Sequence, residues 1–178
     1  FFFKQKTAYE IPKRDWSSDV CSSDLDNNEK LCNCNNVLYY PFKLSSMSAT
    51  SPLFKTNCLW LYNTFDDTVD LSSMTVKELI IDNCAQLMSI SNSNNIKKIT
   101  ISNCNMLSTF SNMPNLEELI ISNCIMVTSI NDLPNLRKLT INNCPAVANL
   151  NNLPNLRTLE KNNCPNLVGN YDLPNLNK

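Results

Sequence analysis

The apolar and polar positions of the chain repeat every 20 residues from residue 76 to its end at residue 178. One unit, residues 115–134, reads NLEELIISNCIMVTSINDLP, and the general pattern is LxxLxIxNCxxLxxIxxLP. The alternation around Leu119 and Ile121 is typical of a short strand that turns both side chains inward. Because the pattern recurs, the strands should stack in parallel about 4.8 Å apart. We predict strands at residues 78–82, 98–102, 118–122, 138–142 and 158–161.

The return segment of each unit is predicted to be extended. A unit of 20 residues is too short for a strand, two turns and a full helix. Pro114, Pro134 and Pro154 also push the residues before them towards extended or polyproline geometry. We therefore expect a β-rich solenoid with a parallel sheet on one side, extended or 3-10 segments on the other, and little α-helix.

Upstream of the regular units, residues 58–75 are predicted to form a degenerate coil. Leu59 is in phase with Leu79, and Thr64 stands where the following units have cysteine. Residues 26–57 show no period and are assigned to a cap or to another decayed coil. The predicted organisation is an N-terminal flank followed by repeats, over residues 26–75 and 76–178 respectively.

The repeating residues resemble a leucine-rich repeat, in a short variant with cysteine where many families have asparagine. Five aligned units carry the motif, each with Asn-Cys after the predicted strand, and later units have Leu-Pro-Asn before the next strand. The units are also similar to the short repeats of bacterial effector proteins and to cysteine-containing arrays of plant immune receptors and some large DNA viruses. The resemblance implies a leucine-rich-repeat arc whose concave sheet binds a protein partner.

Residues 1–25 follow no such pattern and are set apart from the fold. They lack the apolar segment of a secretory signal, and their acidic residues argue against a transit peptide. Residues 4–10 and 15–24 can instead be back-translated to the two arms of a sequencing-library adapter, in the right order. Residues 11–14, between the arms, leave room for a barcode of usual length. We therefore interpret residues 1–25 as a translated adapter.

Composition and charge narrow the function classes. The chain has 178 residues, 43% of them apolar, and a net charge of −1, which gives no general attraction to nucleic acid or to an anionic membrane. It has no histidine, a single glycine and no glycine-rich phosphate loop. Without histidine, the usual general base and the commonest metal ligand are missing. We expect a non-catalytic protein without a metal or a cofactor.

Cysteine and asparagine recur side by side after each predicted strand. Zinc sites usually need closely spaced cysteine pairs, and in a disulfide every coil would compete for the same partner. We therefore predict a buried row of thiols, with asparagine supplying the turn backbone in a chain that has one glycine. For the CxC pair of Cys32 and Cys34, a metal clip and plain cap thiols both stay open. The predicted rows are Cys84, Cys104, Cys124, Cys144 and Cys164, and Asn83, Asn103, Asn123, Asn143 and Asn163.

Three columns of side chains should face outward from the sheet. The first column alternates in charge, which predicts three attractive pairs between neighbouring strands, from Glu78 to Lys138. Ile80 and Ile120 gain nothing from facing water, so they favour a partner-binding surface over a merely solvated face. For the other positions both interpretations stay open. The candidate partner-binding residues are Glu78, Ile80, Asp82, Lys98, Thr100, Ser102, Glu118, Ile120, Ser122, Lys138, Thr140 and Asn142.

The pattern breaks in the last unit. Lys161 stands where Ile121 and Ile141 point inward, and Asn170 stands where Ile130 should recur. A charge buried without a partner costs several kcal/mol. A fraying coil, a cap and a sequence error are all compatible with this break. Because the chain follows the adapter segment at one end and stops at the other as a further unit begins, we expect truncation at both ends.

A scaffold that binds another protein is the function that the sequence favours. Two alternatives stay open: a recognition arm of a larger ubiquitin ligase or immune-type ATPase, and a secreted structural or adhesive array. Thiols without disulfides and the lack of any Asn-x-Ser/Thr sequon favour a reducing, intracellular location. The expected partner is a protein, not nucleic acid or a membrane.

Overall fold

The computed structural model describes residues 37–40, 57–72, 74–168 and 173–176. These residues form a β-solenoid of about five turns with parallel sheets, and no helix is present among them. The prediction of a β-rich solenoid with little helix is thereby confirmed. Residues 1–25, the pair of Cys32 and Cys34, and Asn170 lie outside the described residues. No helix long and apolar enough to cross a membrane occurs in the part that is described.

One side of the solenoid is a long sheet of seven parallel strands. Its strands are β1 (Val37–Tyr40), β2 (Cys58–Tyr62), β4 (Glu78–Asp82), β6 (Lys98–Ser102), β8 (Glu118–Ser122), β10 (Lys138–Asn142) and β12 (Thr158–Asn162), paired in that order. All five predicted strands are present, and the last is one residue longer than predicted. From β2 onwards neighbouring strands stay in register with the repeat, so that Leu79 lies opposite Leu59. β1 was not predicted, and its Val37 pairs with Cys58, one residue out of the phase of the repeat.

Short strands run along the opposite, return side. Within the described residues they are β3 (Thr68–Asp70), β5 (Ser89–Ser91), β7 (Thr109–Ser111), β9 (Ser129–Asn131) and β11 (Asn149–Asn151). β3, β5 and β7 form one sheet, and β9 and β11 form another. The break between these sheets falls beside Phe110, a half-buried aromatic residue in a row that is otherwise aliphatic. The predicted extended return segments are therefore confirmed.

The core is a stack of aliphatic rows between the two sides. Leu119 and Ile121, which were predicted to face inward, are fully buried, and so are Val127 and Ile130 of the same coil. Burying one such side chain stabilises the fold by about 1.5–3 kcal/mol. Because every coil supplies a similar set, stability is spread along the solenoid, and each coil depends mainly on contact with its neighbours.

Asparagine makes the turns of each coil possible. At the end of the long strands, the residue before each cysteine position adopts left-handed backbone geometry, with φ between 52° and 57°. Asparagine reaches this region more easily than most residues because its short polar side chain bonds locally. The left-handed residues of this row are Asn63, Asn83, Asn103, Asn123, Asn143 and Asn163. A second row, which the repeat pattern did not predict, follows the short strands at Asn92, Asn112, Asp132 and Asn152.

The unexpected Lys161 lies in β12, the edge strand of the long sheet among the described residues. It is exposed, and its Nζ donates a hydrogen bond to the carbonyl oxygen of Leu167 at 2.6 Å. Leu159, two positions earlier on the same side of the strand, is half-buried. An inward position at the edge faces water, so the ammonium group avoids the desolvation that it would meet in the middle of the stack.

Candidate partner-binding face

The twelve candidate residues lie together on the outward face of the long sheet. They are the first, third and fifth residues of β4, β6, β8 and β10, whose second and fourth residues are buried. We call this surface, with its continuation on β2 and β12, the outer face. On β2 it includes Trp60 and Tyr62, whose rings meet edge to face with centroids 6.5 Å apart. These two residues and Glu160 on β12 were not among the predicted ones, although their phase in the repeat marks them as outward.

The first column of the outer face carries charges that pair across strands. Lys98 Nζ lies 3.6 Å from Glu78 Oε1 and 3.7 Å from Glu118 Oε2, which gives two of the three expected pairs. Lys138 lies opposite Glu118 in the register, as expected for the third pair, but its Nζ contacts Glu160 Oε1, at 3.5 Å. Such exposed pairs stabilise a fold by only about 0.2–1 kcal/mol, so their main effect is to orient the side chains.

The middle column contains the two isoleucines that were expected to face water. Ile80 does not, since it is only 5% exposed. It lies between Trp60 and Thr100 in the sheet register, and large neighbours on strands about 4.8 Å apart cover much of one another's surface. Ile120 is half-buried and keeps an accessible apolar surface. Of the two isoleucines, Ile120 is therefore the one that a partner could contact.

Hydrogen bonds between strands fix other side chains of the outer face. Asp82 Oδ1 accepts one bond from Ser102 Oγ at 2.8 Å and another from Asn103 Nδ2 at 2.9 Å. Thr140 Oγ1 donates to Glu160 Oε2 at 3.2 Å. These bonds restrict the rotamers of the polar residues that make them.

The predicted row of thiols lies beneath the turns that end the long strands. Its members are buried in four coils and half-buried in the fifth, at Cys84, Cys104, Cys124, Cys144 and Cys164. Each Sγ contacts the carbonyl oxygen two residues earlier, at 3.2–3.4 Å. Thr64 extends the row and donates from its buried hydroxyl to Cys84 Sγ at 3.4 Å. The hydrogen bond to the Cys84 thiol, together with burial, raises the pKa of Cys104, so this thiol stays neutral.

The predicted asparagines form a row of exposed amides above the thiols. Asn123 Nδ2 donates to Asn103 Oδ1 at 2.9 Å, and Asn143 Nδ2 donates in turn to Asn123 Oδ1 at 3.0 Å. Asn163 continues the row by donating to Asn143 Oδ1 at 2.9 Å. The amides thus bond mainly to one another, and the turn geometry already accounts for asparagine at these positions. We therefore assign the row to the architecture and not to a ligand.

Comparison with known proteins adds no relative. No family model, no curated protein and no solved structure matches the chain. The structure itself shows a parallel-strand solenoid that repeats about every 20 residues. An assignment to a family therefore depends on the repeat length and on the residues at each position of the repeat.

We also searched the described residues for groups that could bind a metal ion or a small molecule. No group of three or more His, Cys, Asp or Glu side chains among them could hold a metal ion. An open hollow of about 460 Å³ is lined by Asn94, Asn112, Met113, Pro114, Asp132 and Pro134. The carboxylate of Asp132 already accepts a hydrogen bond from Asn152 Nδ2 at 2.6 Å. The outer face is therefore the stronger candidate for a functional site.

Proposed function

We propose that this protein is a leucine-rich-repeat scaffold that binds another protein through its outer face and catalyses no reaction. The repeat unit supports the family: an LxI strand, an asparagine with left-handed backbone, and a buried cysteine behind it. Parallel in-register strands on one side and extended segments on the other agree with a short unit of this kind. The proposed role is recognition by surface complementarity.

The arrangement of side chains on the outer face is the observation that carries the binding proposal. Ile120 lies between Thr100 and Thr140 in the register and shares its strand with Glu118 and Ser122. An accessible apolar side chain ringed by polar groups is typical of the centre of a protein–protein interface. Because cross-strand bonds already hold several of these groups, binding would lose less side-chain entropy than a loose surface would.

Capture experiments on the whole chain can test this proposal with two single-charge variants. Ile120→Glu places a carboxylate at the centre of the outer face, and Thr128→Glu places the same group at an exposed position on the return side. Partners are trapped by cross-linking, purified, and titrated against each protein. The proposal expects a partner that binds wild type and Thr128→Glu alike and binds Ile120→Glu at least about tenfold more weakly. Equal binding by all three proteins would contradict it.

Residues 1–25 have no part in this proposed function, because we propose that they are translated from a sequencing-library adapter. The support is the match of two separate segments, residues 4–10 and 15–24, to the two arms of one adapter. Sequencing the gene from genomic DNA tests the proposal. Codons for these residues should be absent from the genomic sequence, and their presence would refute it.

A further inference from the structure

A row of mostly basic side chains lies at the edge where the long strands begin. Its members directly precede β4, β6, β8, β10 and β12, and we call them the entry row: Lys77, Lys97, Glu117, Arg137 and Arg157. From Lys97 onwards, the backbone N–H of each member donates to the carbonyl oxygen of the member before it, at 2.8–2.9 Å. Equivalent residues of five successive coils are thereby held side by side. The four basic residues are exposed.

The entry row has a surplus of positive charge at one edge of the sheet. Glu117 is its single acid, and Lys97 Nζ lies 2.8 Å from Glu117 Oε1 while Arg137 Nη1 lies 3.9 Å from Glu117 Oε2. The hydrogen bond from Lys97 lowers the pKa of Glu117, so its carboxylate stays ionised. In the described residues no carboxylate lies within 4.0 Å of Lys77 or Arg157.

Like charges at neighbouring positions of a parallel stack repel each other. Lys77 adjoins Lys97, and Arg137 adjoins Arg157, so the entry row contains two such pairs. The adjacent first column of the outer face avoids this repulsion by alternating acids and bases, which shows that the same coils can accommodate alternation. Glu117 offsets the charge of the inner members, Lys97 and Arg137, but in the described residues no acid within 4.0 Å offsets that of Lys77 or Arg157. We propose that the entry row is a docking site for an acidic peptide segment, with one carboxylate of that segment at each basic pair.

The spacing of the row specifies the segment. The centres of the two basic pairs are separated by three coils, or about 14 Å at 4.8 Å per strand. An extended peptide advances about 3.3 Å per residue, so its residues i and i+4 are about 13 Å apart. Glu117 lies midway, where it would repel an acid at i+2 and attract a lysine or arginine. The expected segment thus has acid, basic and acid residues at i, i+2 and i+4.

The same charge order argues against a continuous polyanion. Nucleic acid or heparin would bring negative charge to Glu117 as well as to the basic pairs, and would lose part of its attraction there. The docking proposal is tested separately from the proposal for the outer face, because its test uses a synthetic peptide and needs no protein partner. Each proposal can therefore fail while the other stands.

Fluorescence anisotropy with the whole chain and two labelled peptides tests the docking site. The peptide Thr-Glu-Thr-Lys-Thr-Glu-Thr should bind at least about fivefold more tightly at low salt than Thr-Glu-Thr-Glu-Thr-Glu-Thr. Arg157→Gln should weaken binding of the first peptide about fivefold, whereas Thr128→Glu, which changes the net charge equally on the return side, should change it less than about twofold. Glu117→Lys should reverse the preference between the two peptides.

Several results would overturn the docking site. These are equal affinity for the two peptides, equal effects of Arg157→Gln and Thr128→Glu, and tighter binding of heparin or single-stranded DNA than of the first peptide. Thermal unfolding of each variant confirms that it is folded, so that loss of the fold is not mistaken for loss of the site.

Discussion

The side-chain amide of Asn135 donates a hydrogen bond to the carbonyl oxygen of Pro114 at 2.7 Å, which fastens one Pro-Asn turn to the turn of the preceding coil. The same bond at the same length joins two further pairs, Asn155 with Pro134 and Asn175 with Pro154. These contacts account for the recurring Leu-Pro-Asn tripeptide. Its leucine is buried, its proline offers a carbonyl group to the next coil, and its asparagine supplies the donor.

Replacing Asn135 by alanine removes one of these bonds without touching the core. We expect Asn135→Ala to lower the free energy of unfolding by about 0.5–1.5 kcal/mol, because the Pro114 carbonyl group then loses its partner. Urea unfolding measures the change. Asn105→Ala is the matched control, since Asn105 is exposed and its side chain makes no hydrogen bond to the described residues. Equal losses for the two variants would contradict a role for the turn bond.

Backbone geometry at Asn123 gives a second prediction. Its φ of 55° is left-handed, which glycine tolerates and a β-branched residue does not. Asn123→Gly and Asn123→Val both remove one amide from the row, but only the valine adds backbone strain. The valine variant should therefore be less stable than the glycine variant by about 1–2 kcal/mol in chemical denaturation. If the valine variant were as stable as the glycine variant, the left-handed turn would be refuted.

Substitution of Lys161 tests how the edge of the long sheet is protected. An inward charge on an edge strand discourages pairing with another chain. We expect Lys161→Ile to make the protein self-associate at concentrations where wild type stays monomeric, as measured by sedimentation velocity. Glu160→Thr changes a charge on the outward side of the same strand and should leave the protein monomeric. A monomeric Lys161→Ile variant would show that Lys161 does not guard the edge.

The buried thiol of Cys58 predicts a dependence of stability on alkaline pH. Burial, with the nearby charge of Glu78, raises the pKa of Cys58 from 9.0 to about 12. The folded state therefore holds this proton more tightly than the unfolded state, so the contribution is full below pH 9 and declines as the pH rises towards 12. The stability difference between wild type and Cys58→Ala should shrink over that range. A difference that does not change with pH would contradict the raised pKa.

Hydrophobic alternation was enough to predict the long strands β4, β6, β8, β10 and β12. In the interior coils the inward residues are apolar, as Leu119 and Ile121 are, and the residues between them must then face outward. The return side was predicted from the length of the unit and from its prolines. These features follow from the local sequence and from the stacking of similar units. Both can be recognised in a single sequence.

Other features depend on neighbours that the repeat does not encode. β1 pairs through its backbone, and Val37 is out of phase with the later coils. Ile80 is buried because its neighbour in β2 is the large Trp60, not a threonine as at Ile120. Lys138 Nζ contacts Glu160, which lies two residues beyond Thr158, the register partner of Lys138 on β12. The entry row was not predicted, because its residues precede the strands. Hydrophobic alternation indicates the direction of a side chain only within a strand.

The central claim, a solenoid of interchangeable 20-residue coils, is tested most directly by deleting one whole coil. Removal of residues 115–134 joins Pro114 to Asn135 and keeps every row in register. We predict that this variant retains a cooperative urea transition, with a smaller m-value because less surface is exposed on unfolding. Removal of residues 115–124, half a coil, should abolish the cooperative transition. Loss of cooperativity in the first variant, or its retention in both, would contradict the claim.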